Sequence, residues 1–128
     1  MLNHVFLGTN DVDKSRAFYN ATMGAIGVAP VGEYPHLTIY ANQDGAVAVG
    51  KPANGEAANP SNGATLGLKA ANYAEVDAWH AAGVANGGTC DGPPGIRPNS
   101  PGQMYGAYLR DPDGNKVCAF APNAGDAA

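Results

Sequence analysis

The sequence predicts an α+β fold in which two tandem βαβββ units form a curved mixed sheet around a cup-shaped pocket. The main observation is an internal repeat: the stretch from His4 to Gly27 is echoed, 61 residues later, by the stretch from Thr65 to Gly88. Each stretch contains an apolar strand pattern, a polar turn, a helix pattern with a large aromatic residue, and a glycine stop. Because neither unit can close its sheet alone, we expect the two edges to pair and the binding surface to lie between the copies.

The first unit begins with an alternating strand pattern at residues 3–9. Asp11 suits the N-cap of the helix that follows, and Gly24 or Gly27 is expected to end that helix. A weak strand pattern follows near residues 25–31. Two clearer strands, at about 34–41 and 45–51, are joined by Asn42-Gln43-Asp44-Gly45, which is typical of a hairpin turn.

The second unit repeats the pattern with a strand at residues 64–70 and a helix from Tyr73 to about Ala85. Residues 91–103 (DGPPGIRPNSPGQ) are predicted to be a long loop that the first unit lacks, because they are rich in proline and glycine. A last hairpin joins strands at 104–110 and 116–121 through Asp111-Pro112-Asp113-Gly114. We divide this single domain as follows: unit one at 1–51, a linker at 52–63, unit two at 64–121 and a frayed tail at 122–128. Phe18 and Trp79 are expected to be core anchors.

Composition excludes several classes of function. The chain has 128 residues and a net charge of -4, with lysine and arginine scattered singly, which argues against nucleic acid as a partner. No apolar run approaches the roughly 20 residues that cross a bilayer, so we expect no membrane association. No signal-peptide pattern is present. Cys90 and Cys118 are too few for a disulfide framework, and a reduced, cytoplasmic protein is expected.

Two segments resemble a known family. TNDVDKSRAFYNATMGAIG near the start and YGAYLRDPDGNKVCAF near the end are similar to the vicinal oxygen chelate superfamily. That superfamily includes glyoxalase I, extradiol dioxygenases, and fosfomycin and bleomycin resistance proteins. The similarity extends from residue 3 to residue 121 and is greatest to a bacterial lactoylglutathione-lyase-like subgroup. The resemblance implies the two-unit fold, a small-molecule ligand and a homodimer.

The resemblance also implies a divalent metal that holds two adjacent oxygens of a substrate. Its ligand positions correspond here to His4, Val49, Thr65 and Cys118, and the internal repeat gives the same assignment. Valine cannot bind a metal, and a neutral threonine hydroxyl is a poor ligand. His4 and Cys118 remain, which is fewer than the three protein ligands of a typical catalytic site. We therefore expect no cofactor, with a zinc-like ion on His4 and Cys118 as the alternative.

Other candidate residues follow from strand alternation and from the predicted loop. The side chains expected to face the cup are His4, Phe6, Gly8, Val47, Val49, Thr65, Gly67, Cys118 and Phe120. His4 is the candidate catalytic base because histidine is the residue type that can change charge near neutral pH. Arg97 could bind a carboxylate or phosphate, or could be a solvated loop residue. The full predicted ligand-binding set is Phe6, Tyr40, Val49, Thr65, Arg97, Tyr105 and Phe120. Tyr40 and Tyr108 could offer hydroxyls to the cup or pack against a helix.

Three functions fit these residues. The preferred hypothesis is a glyoxalase/bleomycin-resistance/dioxygenase-like protein with a degenerate metal site, which binds or transforms a small, fairly apolar metabolite. The alternative is an active metal-dependent lyase or dioxygenase with His4 and Cys118 as ligands. The third is metal-free acid–base catalysis with His4 as base and a tyrosine as proton donor. Whether the protein is an enzyme stays open at this point.

Overall fold

A computed structural model describes residues 1–125, which contain two helices and eight strands. The helices are α1 (Val12–Ala25) and α2 (Tyr73–Ala85). The strands of the first unit are β1 (His4–Gly8), β2 (Ala29–Glu33), β3 (Leu37–Asn42) and β4 (Gly45–Gly50). Those of the second unit are β5 (Leu66–Lys69), β6 (Thr89–Ile96), β7 (Tyr105–Arg110) and β8 (Lys116–Ala121). The predicted α+β fold of two βαβββ units is confirmed.

Each unit forms its own four-stranded sheet. The strand orders are β1-β4-β3-β2 and β5-β8-β7-β6, so the two units have the same topology. In each sheet the first strand runs parallel to the last, and the remaining neighbours are antiparallel. The expected pairing of the two sheet edges is wrong for the described residues, because β1 bonds to β4 and β5 bonds to β8 in separate sheets. The units are joined through their helices instead.

The two helices pack directly against each other inside one shared core. Phe18 of α1 and Trp79 of α2 are both fully buried, which confirms them as core anchors. Gly83 allows the close approach, because a Cβ there would collide with Leu109 and lie 3.2 Å from Phe18. Burying a large apolar side chain stabilises the fold by about 1.5–3 kcal/mol, so these aromatic residues contribute strongly to holding the units together.

The predicted helix start signals are confirmed. The Asp11 carboxylate accepts a hydrogen bond of 3.1 Å from the Lys14 backbone N–H at the start of α1. Asn72 accepts one of 2.9 Å in the same way at the start of α2. Gly27 follows the end of α1 with φ +77°, a conformation that glycine adopts at low cost. Within residues 1–125, neither helix has the length and apolarity needed to span a membrane.

A buried carboxylate ties the last hairpin to the first strand and helix. Asp111 is 4% exposed. One of its oxygens accepts hydrogen bonds from the Tyr19 hydroxyl (2.6 Å) and the Asn115 amide (2.9 Å). The other accepts from the backbone N–H groups of Asp113 and Asn115, both at 2.9 Å. The Asn115 amide also donates to the carbonyl of Gly8 at 3.0 Å. The turn of unit two therefore holds the end of β1 and the middle of α1.

The loop predicted at residues 91–103 is partly a strand, and that prediction is wrong. β6 covers Thr89–Ile96 and corresponds to β2 of the first unit. Its two prolines, Pro93 and Pro94, lack a backbone N–H. They are tolerated because β6 is the edge strand and pairs with a neighbouring strand on one side only. The pairing with β7 shifts register on both sides of Gly92, which accommodates the irregular stretch.

The segment between the units is anchored although it contains neither helix nor strand. The Asn10 side chain donates to the carbonyl of Ala58 (3.0 Å) and accepts from its N–H (2.7 Å). At the other end of the chain, Asn123 donates to the Gln103 carbonyl at 2.8 Å, and the Ala124 N–H donates to Tyr73 at 3.0 Å. The tail, predicted to fray, is thus hydrogen-bonded here, and its last residues, 126–128, lie outside the described part of the chain.

We expect Tyr19→Phe to destabilise the protein by about 1.5–3 kcal/mol, because the substitution removes a buried hydrogen bond to a charged acceptor. Urea unfolding followed by circular dichroism measures the change. Tyr34→Phe is the matched control: Tyr34 is 49% exposed, and its loss should change stability by less than about 0.5 kcal/mol. Equal stabilities of the two variants would contradict the role given to Asp111.

Candidate functional site

The register of β1 with β4 defines which side chains face away from the helices. We call the side away from the helices the open face of each sheet. Directly paired residues share a face, and His4 pairs with Ala46, Phe6 with Ala48, and Gly8 with Gly50. These six positions form the open face of the first sheet along β1 and β4. The intervening residues of both strands point toward the helices and the core.

Val49 lies on the helix side, so the prediction that Val47 and Val49 face the cup is wrong. Val49 pairs with Leu7 and is 1% exposed. The error comes from hairpin length. The first hairpin pairs Asn42 with Gly45 and leaves two residues in its turn, whereas the second pairs Arg110 with Lys116 and leaves five. Aligning the two turns on Asp-Gly therefore shifts the register by one residue, which turns every side chain to the opposite face.

Ala48 is the true counterpart of Cys118. Ala48 pairs with Phe6 in the first sheet. Cys118 pairs with Gly67, which follows Phe6 by the repeat length. Neither alanine nor valine has a side-chain atom that can bind a metal. Replacing Val49 by Ala48 as the fourth ligand position therefore does not restore a metal ligand.

The two remaining candidate ligands lie in different sheets and in different surroundings. His4 is exposed at the start of β1, and its Nδ1 lies 2.7 Å from Oδ1 of Asn3. Cys118 lies on the open face of the second sheet but is only 6% exposed. Burial raises the pKa of its thiol to about 11, and the nearby Lys116 opposes that rise only in part. Cys118 is therefore protonated at neutral pH, whereas a metal ligand is the thiolate.

The donor set does not fit the metal implied by the resemblance. Thr65 is exposed and directly precedes β5. Among residues 1–125, no group of three or more histidine, cysteine, aspartate or glutamate side chains is placed to hold an ion. A site built from His4 and Cys118 alone would lack the third protein ligand of catalytic metal centres.

Tyr40 and Tyr105 point to the helix side and not to the cup. Tyr40 is 1% exposed and donates to Asn20 at 2.7 Å; burial raises the pKa of its hydroxyl well above the ordinary value. Tyr105 stacks on Tyr73 with ring centroids 4.0 Å apart. Its hydroxyl donates to Asp77 at 2.6 Å, and this bond, with burial, raises its pKa to about 12. Of the two alternatives predicted for Tyr40, packing against a helix is the one observed, and the ligand-binding roles predicted for Tyr40 and Tyr105 stay predictions.

The open face of the second sheet carries an aromatic and cationic group of side chains. Tyr108 pairs with Cys118, and its ring meets Phe120 edge to face with centroids 5.6 Å apart. Arg97 and Lys116 both lie over the Tyr108 ring, at 5.5 Å and 4.9 Å from its centroid. The sequence analysis missed Lys116, although it alternates in step with Cys118 and Phe120 and could have been found from that spacing.

Two cavities lie near the open faces and the boundary between the units, and the larger has the size of a small-molecule site. One, of about 400 Å³, lies on the open face of the first sheet, between Phe6, Gly8 and the segment from Pro52 to Asn59. Gly8 gives that segment room, because a Cβ there would lie 2.9 Å from the Cβ of Ala58. The other, of about 220 Å³, opens between the units and is lined by Tyr40 among mainly apolar side chains.

Two βαβββ units, with sheets that leave one face open to solvent, define a glyoxalase-like protein whose metal-ligand positions lack a complete donor set. The sequence profile of the Glyoxalase/Bleomycin resistance protein/Dioxygenase superfamily matches residues 1–119. The chain belongs to this superfamily. None of the curated proteins matches it.

Solved structures agree with this assignment. A glyoxalase/bleomycin resistance protein from Albidiferax ferrireducens T118 is 44% identical, with a TM-score of 0.88 over 96% of this chain and 99% of that chain. A glyoxalase-related enzyme from Fulvimarina pelagi is 23% identical, with a TM-score of 0.75 over 94% of this chain and 87% of that chain. A lactoylglutathione lyase from Agrobacterium tumefaciens is 22% identical, with a TM-score of 0.66 over 94% and 92%. The last two similarities concern the fold alone.

We expect protein purified without an affinity tag to carry well under one metal ion per chain, because His4 and Cys118 are fewer than the three protein ligands of a catalytic metal site. Elemental mass spectrometry measures the content. The Cys118→Glu variant is the matched test of the rest of the site: it introduces a carboxylate, yet Ala48 and Thr65 still supply no strong ligand, so its metal content should stay low. Stoichiometric metal in the unaltered protein would contradict this account.

Proposed function

We propose that this protein binds a small, fairly apolar metabolite on the open faces of its sheets without a catalytic metal. The proposal rests on one observation: the open faces have few metal-binding side chains but several aromatic ones. The family's four metal positions hold one strong donor, His4, with alanine, threonine and a buried cysteine at the others, while aromatic side chains lie beside them. A site that keeps its aromatic surface and lacks its metal donors suits binding of an apolar molecule better than Lewis-acid chemistry.

The cavity beside Phe6 supports this function. Its volume of about 400 Å³ lies within the usual range of small-molecule sites. Phe6 is 46% exposed, so a ligand that covers its ring would remove apolar surface from water. The segment from Pro52 to Asn59 forms the opposite wall, and its Asn54, Glu56 and Asn59 side chains can orient a polar end of the ligand.

The metal-dependent alternative would assign His4 and Cys118 as ligands of a lyase or dioxygenase. It rests on the family resemblance, and stoichiometric metal would be needed to favour it over binding. Metal-free acid–base catalysis by His4 has less support, because the hydroxyls of Tyr40 and Tyr105 are hydrogen-bonded on the helix side. Tyr108 is the candidate proton donor that remains on an open face, and it belongs to the other sheet.

We propose a homodimer in the cytoplasm. Apart from Phe6 in the cavity, several large apolar side chains are exposed on strands or next to them, a feature that marks interaction surfaces: Leu2, Val31, Tyr34 and Ile96. Cys90 and Cys118 are both free, which suits a reducing compartment. Neither nucleic acid nor a membrane is proposed as a partner.

Sedimentation equilibrium should therefore give about twice the chain mass of 12.9 kDa at micromolar concentration. Val31→Asp should shift the mass toward the monomer, because a charge on an apolar interface disfavours association. Lys14→Gln, on the exposed surface of α1, changes the net charge by the same amount and is the control for that change. A wild-type mass equal to one chain would reject the dimer.

The binding proposal is tested with 2-naphthol, an apolar aromatic that is neutral at pH 7. Titration followed by amide NMR shifts should place it on open-face strands and on residues 52–59. We expect Phe6→Asp to weaken binding roughly tenfold, since burial of part of a phenyl ring contributes on the order of 1.5 kcal/mol. The matched control is Val84→Asp, an equally exposed apolar residue on α2, which should leave binding unchanged. Equal binding by both variants, or shifts confined to the helices, would refute the proposal.

A further inference from the structure

Three cationic side chains are concentrated on or beside the open face of the second sheet. Arg110 pairs with Lys116 and shares the face of Tyr108 and Cys118. Arg97 directly follows β6 and reaches back over the Tyr108 ring. We call Arg97, Arg110 and Lys116 the basic face. None of the three is fully exposed, so each is held against the sheet and does not extend freely into solvent.

The basic face has more positive charge than its neighbours neutralise. Asp91 pairs with Arg110 at 3.1 Å and with Lys116 at 3.6 Å. Arg97 forms no ion pair among the described residues, and donates instead to the backbone carbonyls of Pro93 (2.6 Å) and Gly95 (3.4 Å). Two of the three cations thus share one carboxylate and the third pairs with none, on a chain whose overall charge is -4. Such a local reversal of sign attracts an anion to this face.

Aromatic rings lie directly beside these charges. Lys116 and Arg97 are positioned over Tyr108 by cation–π contacts, which restrict where the two charged ends can be. Phe120 lies next to Tyr108 and covers Gly106, where a Cβ would be 2.6 Å from its ring. Glycine at this position therefore lets the Phe120 ring lie close against the sheet beside Tyr108.

We propose that the basic face binds an aromatic anion, with the ring against Phe120 and Tyr108 and the carboxylate or phosphate between Arg97 and Lys116. Arginine offers a planar fork of N–H donors that matches the oxygens of either group. Anion binding also gives a role to the Arg97 charge, which lies over the Tyr108 ring without an acidic partner among the described residues. The inference rests on the proposed function and adds the chemical class of the ligand to it.

The test uses the full chain and three probes of similar shape: benzoate, phenyl phosphate and neutral benzamide. Amide NMR titration should show benzoate and phenyl phosphate shifting β6, β7 and β8, with benzamide at least tenfold weaker. Arg97→Gln and Lys116→Gln should each weaken binding of the anions about tenfold, the loss of one charge-assisted hydrogen bond. Lys14→Gln removes the same charge from the exposed surface of α1 and should have no effect. The tighter of the two anions identifies the charged group.

Other outcomes separate this inference from the proposed function. If benzamide binds the open faces as tightly as benzoate, and both glutamine variants are unaffected, the inference is overturned while small-molecule binding stands. If the three probes and 2-naphthol all fail to bind, both proposals fail. If the NMR spectrum shows that Arg97→Gln is unfolded, binding by Lys116→Gln tests the inference instead. The Lys116 side chain is partly exposed, so the protein should tolerate this substitution.

Discussion

The buried Asp111 carboxylate is the interaction on which the arrangement of the two units depends. A charge removed from water is costly unless its lone pairs are filled. Asp111 meets this requirement with four hydrogen bonds, two from its own turn and two from the side chains of Tyr19 and Asn115. The same Asn115 holds the carbonyl at the end of β1. Satisfying one carboxylate therefore fixes the turn, the helix and the strand together.

Predictions that depend on nearby residues were correct, whereas those that depend on strand pairing or on the length of a turn were not. The Asp11 cap, the glycine after α1 and the buried Trp79 depend on residues within a turn or two, and all are confirmed. The Pro93-Pro94 strand was missed, because its existence depends on pairing with β7 at a sheet edge. Val49 was placed on the wrong face for a related reason: the face depends on how many residues the hairpin turn contains.

The candidate site shows the same difference between what neighbouring residues predict and what depends on packing between elements. Alternation along single strands placed His4, Phe6, Cys118 and Phe120 on the open faces, although their roles remain predictions. It could not show that Cys118 is buried beneath neighbours that keep its thiol protonated, nor that Tyr40 and Tyr105 find partners on the helices. Those facts come from packing between elements. The missing metal donors were visible in the sequence, whereas the grouping of Arg97 with Lys116 over Tyr108 required the structure.

The bond between Tyr19 and Asp111 has a consequence for how the chain is made. Its two partners are 92 residues apart. During synthesis from the N-terminus, the first unit leaves the ribosome long before the turn that completes it has been translated. Until then the Tyr19 hydroxyl has no carboxylate to bind, and the Gly8 carbonyl lacks the Asn115 amide. The first unit therefore matures only after the second has been synthesised, so a nascent chain stalled before the last hairpin leaves both halves unfinished.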